Sequence, residues 1–131
     1  MRVIDASALI KYLNREDGWR RVEEYILEGC ITIDLALKEV ANALWKRVKR
    51  GEVTERQALA IMEIILESKI VKIHSQQPLI NEALKSSITN DLPIYDSLYI
   101  ILAKHMKMPL VTSDKRQAEK AKMMGVNPIL L

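Results

Sequence analysis

The chain holds one cysteine, four glycines, two histidines and no long apolar run, and each shortage closes off a class of protein. A lone Cys30 cannot form an intramolecular disulfide or anchor a cysteine-rich zinc motif, and it fits a reducing compartment. It lies in "CITI", where it reads as a small buried hydrophobe rather than a nucleophile. The glycines stand at 18, 29, 51 and 125, too scattered for the glycine-rich turn of a dinucleotide binder. His74 and His105 are isolated from each other and from the acidic stretches, which argues against acid–base chemistry run by histidine alone. No apolar segment approaches membrane-spanning length, and "MRVIDAS" lacks the form of a signal peptide, so a cytoplasmic protein without membrane attachment is expected.

What remains is an ordinary globular balance. Apolar residues make up 49% and charged residues 28% of 131, enough for one domain with a core that needs no staples. The net charge of +3 is unevenly placed. Residues 102–131 hold six cations against Asp114 and Glu119, a net of +4, which leaves −1 for the rest. Such a basic segment beside acidic residues suits a polyanionic ligand, although a solvated helix face would look the same.

Hydrophobic periodicity predicts strands alternating with helices. "RVID" reads as a strand that leads into a helix over "ASALIKYLN", with Leu9, Ile10 and Leu13 on one side. Asp17 is placed to cap a second helix ending at Gly29, and "CITI" is the next strand. Leu37, Val40, Ala41, Leu44, Trp45 and Val48 mark the stripe of a long helix that stops near Gly51, and core positions are expected along it. "TERQ" at 54–57 is a capping box that opens another amphipathic helix. "IVKI" is a third strand, Pro78 opens a helix to about Ser87, and "NDLP" turns into the nearly all-apolar helix that Pro93 begins. "LVT" is a buried strand; a helix over about Lys115–Met124, a stop at Gly125 and a short strand in "PILL" complete the chain. The expected fold is α/β: a mainly parallel sheet flanked by helices, with the helical pair spanning 36–67 as an arm beside it.

Four acids stand at element ends. Asp5 closes the first strand, and Asp114 follows "LVT"; ligands of open parallel sheets gather at such carboxyl ends. Asp96 falls in the first turn of an apolar helix, and Glu39 enters the long helix with Asn42 sharing its edge. Each has an ordinary explanation. Asp5, Ser7, Ser113 and Asp114 can cap helices, Asp96 suits a helix dipole, and Glu39 can be a plain helix-entry acid. Asp91 reads best as a cap. Taken together, the four suggest an oxygen-only site for a hard cation.

"VIDASALIKYL", "KEVANAL", "LPIYDSLYIILA" and "LVTSDKR", in this order, closely resemble the PIN-domain family, and within it the small stand-alone VapC type, the toxin half of type II toxin–antitoxin pairs. The resemblance covers essentially the whole chain, and its most specific signal is "YDSLY" followed by "LVTSD". It implies a Mg²⁺- or Mn²⁺-dependent ribonuclease, often homodimeric, whose catalytic and metal-holding acids are Asp5, Glu39, Asp96 and Asp114. Ser7 and Thr112 match positions that support the acids. Lys115 and Arg116, directly after Asp114, are candidates for guiding the RNA backbone. A cognate antitoxin is implied as partner, with residues 36–67 a natural place for it to grip. Two alternatives stay open: a PIN-like module that binds RNA or protein without cutting, and a housekeeping RNA-processing nuclease of the same fold. Other α/β phosphate enzymes fit poorly. A haloacid-type phosphotransferase would want an aspartate where Ser7 stands, and a receiver domain would want paired acids at its first strand.

Overall fold

Val3 and Ile4 are β-branched and wholly buried, and they sit at the centre of the sheet in β1 (Arg2–Ile4). The computed structural model describes residues 1–67 and 70–131. After β1 come α1 (Ala6–Leu13), α2 (Trp19–Glu28), β2 (Cys30–Ile33), α3 (Leu35–Lys49) and α4 (Glu55–Glu67). Then follow β3 (Lys72–His74), a 3-10 turn at Gln77–Leu79, α5 (Ile80–Asn90), α6 (Ile94–Met106), β4 (Leu110–Thr112), α7 (Lys115–Met123) and β5 (Pro128–Leu130). The five described strands run parallel in the order β3-β2-β1-β4-β5. A parallel sheet needs long crossovers, and the helices supply them.

The strand order reverses at β1, which has β2 on one side and β4 on the other. In doubly wound sheets ligands bind in the crevice at such a reversal, beyond the carboxyl ends of the strands, which here are the ends of β1 and β4. Register fixes its floor. Val3 pairs with Leu110 and Ile4 with Val111, and the Asp5 amide donates to the Val111 carbonyl at 3.1 Å. Asp5 and Thr112 therefore leave the sheet side by side.

α6 packs on β1, β2 and β4, and every residue from Ser97 to Ala103 is buried. Its buried Ser97 hydroxyl is satisfied, because Ser97 Oγ shares a 2.7 Å bond with Ser87 Oγ of α5. α3 packs on α1 and β2, and α4 packs on α3 as the second half of the expected helical arm. The Thr54–Gln57 capping box is reciprocal: each side chain accepts from the other's amide, at 2.9 and 3.1 Å.

Several local expectations shift. Gly18, at φ +88°, occupies the cap position of α2, so Asp17 does not cap it. Pro78 sits in the 3-10 turn, and the α-helix begins only at Ile80. The third strand is Lys72–His74 rather than "IVKI", because pairing with Ile31, Thr32 and Ile33 sets its register. The stripe of α3 is wider than the face it buries. Val40 and Leu44 are in the core, but Trp45 is 57% exposed, with the Lys49 ammonium 5.2 Å from its ring centroid. Cys30 is buried, and burial pushes its thiol up to about 11, so it is inert packing.

Candidate active site

Asp5 is only 4% exposed, yet both its oxygens are engaged. Oδ1 accepts from the Ala8 amide at 3.1 Å, which caps α1, and from Ser7 Oγ at 2.6 Å. Oδ2 accepts from Thr112 Oγ1 at 2.5 Å. Ser7 Oγ also lies 3.2 Å from Thr112 Oγ1 and accepts from the Ser113 amide at 3.0 Å. The two hydroxyls thus lock the start of α1 to the end of β4. Thr112 Oγ1 extends the lock by accepting from the Asp114 amide at 3.1 Å.

Asp114 caps α7, with its Oδ1 taking the Arg116 and Gln117 amides at 2.9 and 3.2 Å. All of its side-chain bonds fall on that one oxygen. Capping therefore engages one oxygen of Asp114 and does not exclude a second role for the other. Asp96 lies half-buried in the first turn of α6, where the helix dipole favours its charge. One turn on, buried Tyr99 donates from its hydroxyl to Glu39 Oε1 at 2.6 Å, which reaches from α6 to the first part of α3. Asp91 is the exposed, left-handed C-cap of α5 and stands apart from these acids.

Three of the four carboxylates are raised, and the charge of the fourth, Asp114, contributes to two of those rises. Burial pushes the Asp5 carboxyl up to about 6, against the pull of its Ser7, Thr112 and Ala8 hydrogen bonds, and the Asp114 charge adds to the rise. Burial raises Glu39 as well, partly offset by Tyr99 and reinforced by Asp96. Asp96 is raised by burial and by Asp114, with Arg116 pulling the other way. Tyr99 is held far above the ordinary phenol range by burial and by Glu39. Among the described residues none of the four acids has an ion-pair partner. Nor do any three acidic, histidine or cysteine side chains there already stand at metal-holding distances. The donor set still fits a hard divalent cation in its chemistry: oxygen only, anionic, and short of positive charge.

Two further residues shape the crevice. Tyr99 falls on the polar side of α6, one turn from Asp96, so helical spacing pointed toward it. Gln117 gives no such signal. It is 3% exposed in α7, and its Nε2 donates to the Asp96 carbonyl oxygen at 3.0 Å, tying the first turns of α6 and α7 together. Its Oε1 is buried without a partner among the described residues. Gln117→Leu removes a hydrogen bond and an unsatisfied oxygen together, so stability should change by less than about 1 kcal/mol. Urea unfolding checks this, and a loss of about 3 kcal/mol would mean that the amide does more than tie the helices.

Lys115 and Arg116 are exposed on the first turn of α7, beside Asp114. The histidines lie elsewhere: His105 pairs with Glu82, and His74 Nδ1 is 2.7 Å from the Ser75 carbonyl oxygen.

The PIN domain family model matches residues 2–123. Ribonuclease VapC3 of Pyrobaculum aerophilum is 33% identical over 121 residues, covering 90% of this chain and 92% of that protein. Exonuclease VapC9 of the same organism is 30% identical over 120 residues, covering 92% and 85%. The crystal structure of VapBC2 from Rickettsia felis, bound to a DNA fragment from their promoter, contains a chain of the same fold. It aligns with a TM-score of 0.70 at 14% identity over 99% of this chain and 98% of that one. The chain is a member of the PIN-domain family, of the VapC type, and a nuclease by descent.

Proposed function

We propose that the chain is a Mg²⁺- or Mn²⁺-dependent endoribonuclease whose catalytic and metal-holding residues are Asp5, Glu39, Asp96 and Asp114. What supports this reading is placement: Asp5 and Asp114 follow the neighbouring strands β1 and β4, Gln117 ties the turn after Asp114 to the Asp96 carbonyl, and Tyr99 of the same helix as Asp96 holds Glu39. When bound, a divalent cation supplies an activated water and offsets the charge on the scissile phosphate. The chain's own residues do the placing. Ser7 and Thr112 hold the Asp5 carboxylate rigid from behind, and Tyr99 fixes one oxygen of Glu39 while leaving the other to the crevice. Gln117 sets the spacing between the turns that carry Asp96 and Asp114. Lys115 and Arg116 flank the acids and would steer the RNA backbone.

The proposed partners follow the VapC type. A cognate antitoxin would grip the α3–α4 arm, where Leu44, Trp45, Val48, Leu59 and Met62 line an apolar groove of about 380 Å³. Trp45 and Leu59 are both more than half exposed there. The chain would act as a homodimer in the cytoplasm, free of membranes; no helix among the described residues is long and apolar enough to cross one.

The test is cleavage of end-labelled RNAs by the purified chain in Mg²⁺, Mn²⁺ or EDTA, beside Asp96→Asn. Discrete internal cuts that need metal and vanish in the variant are expected. Mononucleotides released from one end would convert the reading to an exonuclease. Cutting that survives in EDTA and in the variant would refute the assignment of these acids.

A further inference from the structure

A second feature begins where the acids end. Glu39 also lines an open groove of about 710 Å³ between the end of α1 and the outer length of α3. Away from Glu39 the groove passes Asn42 and Ala43 and then meets Lys46, Arg47 and Arg50, with the Glu16 and Glu52 carboxylates also on its lining. Glu39, Ala43, Lys46 and Arg50 recur at helical spacing, so one face of α3 changes from acidic to basic along its length. The small side chain of Ala43 leaves the space between the two ends open.

The cations differ in how firmly they are held. Arg47 is half-buried and fixed, with Nη1 donating to Asn14 Oδ1 at 2.8 Å, which joins α3 to the end of α1. Lys46 and Arg50 are exposed. Glu52 stands 3.6 Å from both Arg47 Nε and Arg50 Nε. Exposed pairs at that distance are weak, so Glu52 is a displaceable occupant of an anion position rather than a lock. No aromatic side chain lines the groove, so base stacking is not available there and phosphate contact is.

We infer that this groove is the track for a single-stranded RNA flank leading away from the acids, its phosphates held by Lys46, Arg47 and Arg50. The inference rests on the ribonuclease reading above and adds a substrate path to it. Helix rise puts Lys46 about 10 Å and Arg50 about 16 Å along the axis from Glu39. At ~3.4 Å per stacked nucleotide, that reach spans about three to five nucleotides. Because the contacts are to phosphates, the track contributes affinity and register and little sequence preference.

The experiment measures binding apart from cutting. A fluorescein-labelled single-stranded RNA is titrated in Mg²⁺ into the full chain carrying Asp96→Asn. The same titration is done with Lys46→Ala and Arg50→Ala added, and with Lys72→Ala and Lys85→Ala, exposed cations outside both the groove and the basic C-terminal segment, added as a control. The groove pair should weaken binding roughly tenfold at low salt, and its slope of log affinity against log salt should be shallower by about 1.4, or ~0.7 for each lost phosphate contact. Glu52→Gln should tighten binding by about twofold to threefold, since it removes the competing anion. In the active chain the groove pair should raise KM and leave kcat within about twofold. All these positions are exposed, so melting curves should stay unchanged and exclude misfolding. If the groove pair and the control bind alike with equal salt slopes while the unaltered chain still cuts RNA, the track is overturned and the nuclease stands. If the unaltered chain neither binds nor cuts RNA, both fail together.

Discussion

Replacing Asp5 with asparagine is expected to cut RNA cleavage at least about a hundredfold and, in the same molecule, to make the metal-free protein more stable. The two effects have one cause. Asp5 is buried, hydrogen-bonded on both oxygens and pushed up to about 6 by desolvation, so at pH 8 the fold holds a charge that it disfavours. Asparagine has nearly the same shape. Its carbonyl oxygen can keep the Ala8 and Ser7 bonds, and its amide can donate to Thr112 Oγ1 once that hydroxyl turns its proton elsewhere. Removing the charge should therefore stabilise the metal-free fold at pH 8 by roughly 1–3 kcal/mol, which is ~3–10 °C for a chain of this size. Activity should move the other way. Partners that merely orient a metal ligand are worth about 10–100-fold when removed, and loss of a ligand's charge should cost no less. The measurement is a melting curve in EDTA at pH 8 alongside a cleavage rate in Mg²⁺. A variant that is less stable and still active would mean that Asp5 is only a helix cap.

Much of this arrangement can be read from the chain before any coordinates. The ends of β1 and β4 are marked by short β-branched runs that stop one or two residues before an acid, and the capping box at Thr54 and Gln57 predicts its own hydrogen bonds. The nearly all-apolar "SLYIILA" is buried on every side, and it belongs to the helix that lies across β1, β2 and β4. Pairings between distant segments are a different matter. Nothing local says that β1 lies beside β4, since parallel neighbours are chosen by crossovers and not by turns. For the same reason the 2.6 Å bond from Tyr99 to Glu39 and the amide tie from Gln117 to Asp96 are properties of the assembled sheet. β3 was misplaced because it is an edge strand with Lys72 and Ile73 exposed, so burial does not mark its bounds and only its partner does. For Trp45 the sequence leaves core and partner surface both open, because an apolar stripe records what a helix can bury, and α3 keeps part of its stripe uncovered.

The metal-free protein should lose stability as pH rises from about 4 to about 6, opposite to the usual behaviour of paired carboxylates. An aspartate titrates near 3.8 in the unfolded chain and, at position 5, near 6 in the fold. Between those values the folded state carries a proton that the unfolded state has released, so unfolding releases it and becomes easier with every step in pH. Below 3.8 both states are protonated and nothing is lost. Above 6 both are ionised, and the full penalty of about 3 kcal/mol is in place. Glu39 and Asp96 are raised too and add in the same direction. The clean readout is the difference between the unaltered chain and Asp5→Asn, followed by urea unfolding in EDTA from pH 4 to pH 8. The gap should be near zero at pH 4 and open to its full value by about pH 7. Mg²⁺ or Mn²⁺ should then close it from the other side, because a cation that binds only the folded, ionised site adds about 2.7 kcal/mol at a hundred times its Kd. It should do so at pH 8 and fail at pH 4, where Asp5 is protonated. A gap that is flat across this range, or metal stabilisation as large at pH 4 as at pH 8, would remove Asp5 from any shared cation site. The same acids would then be left as four separate helix-end charges.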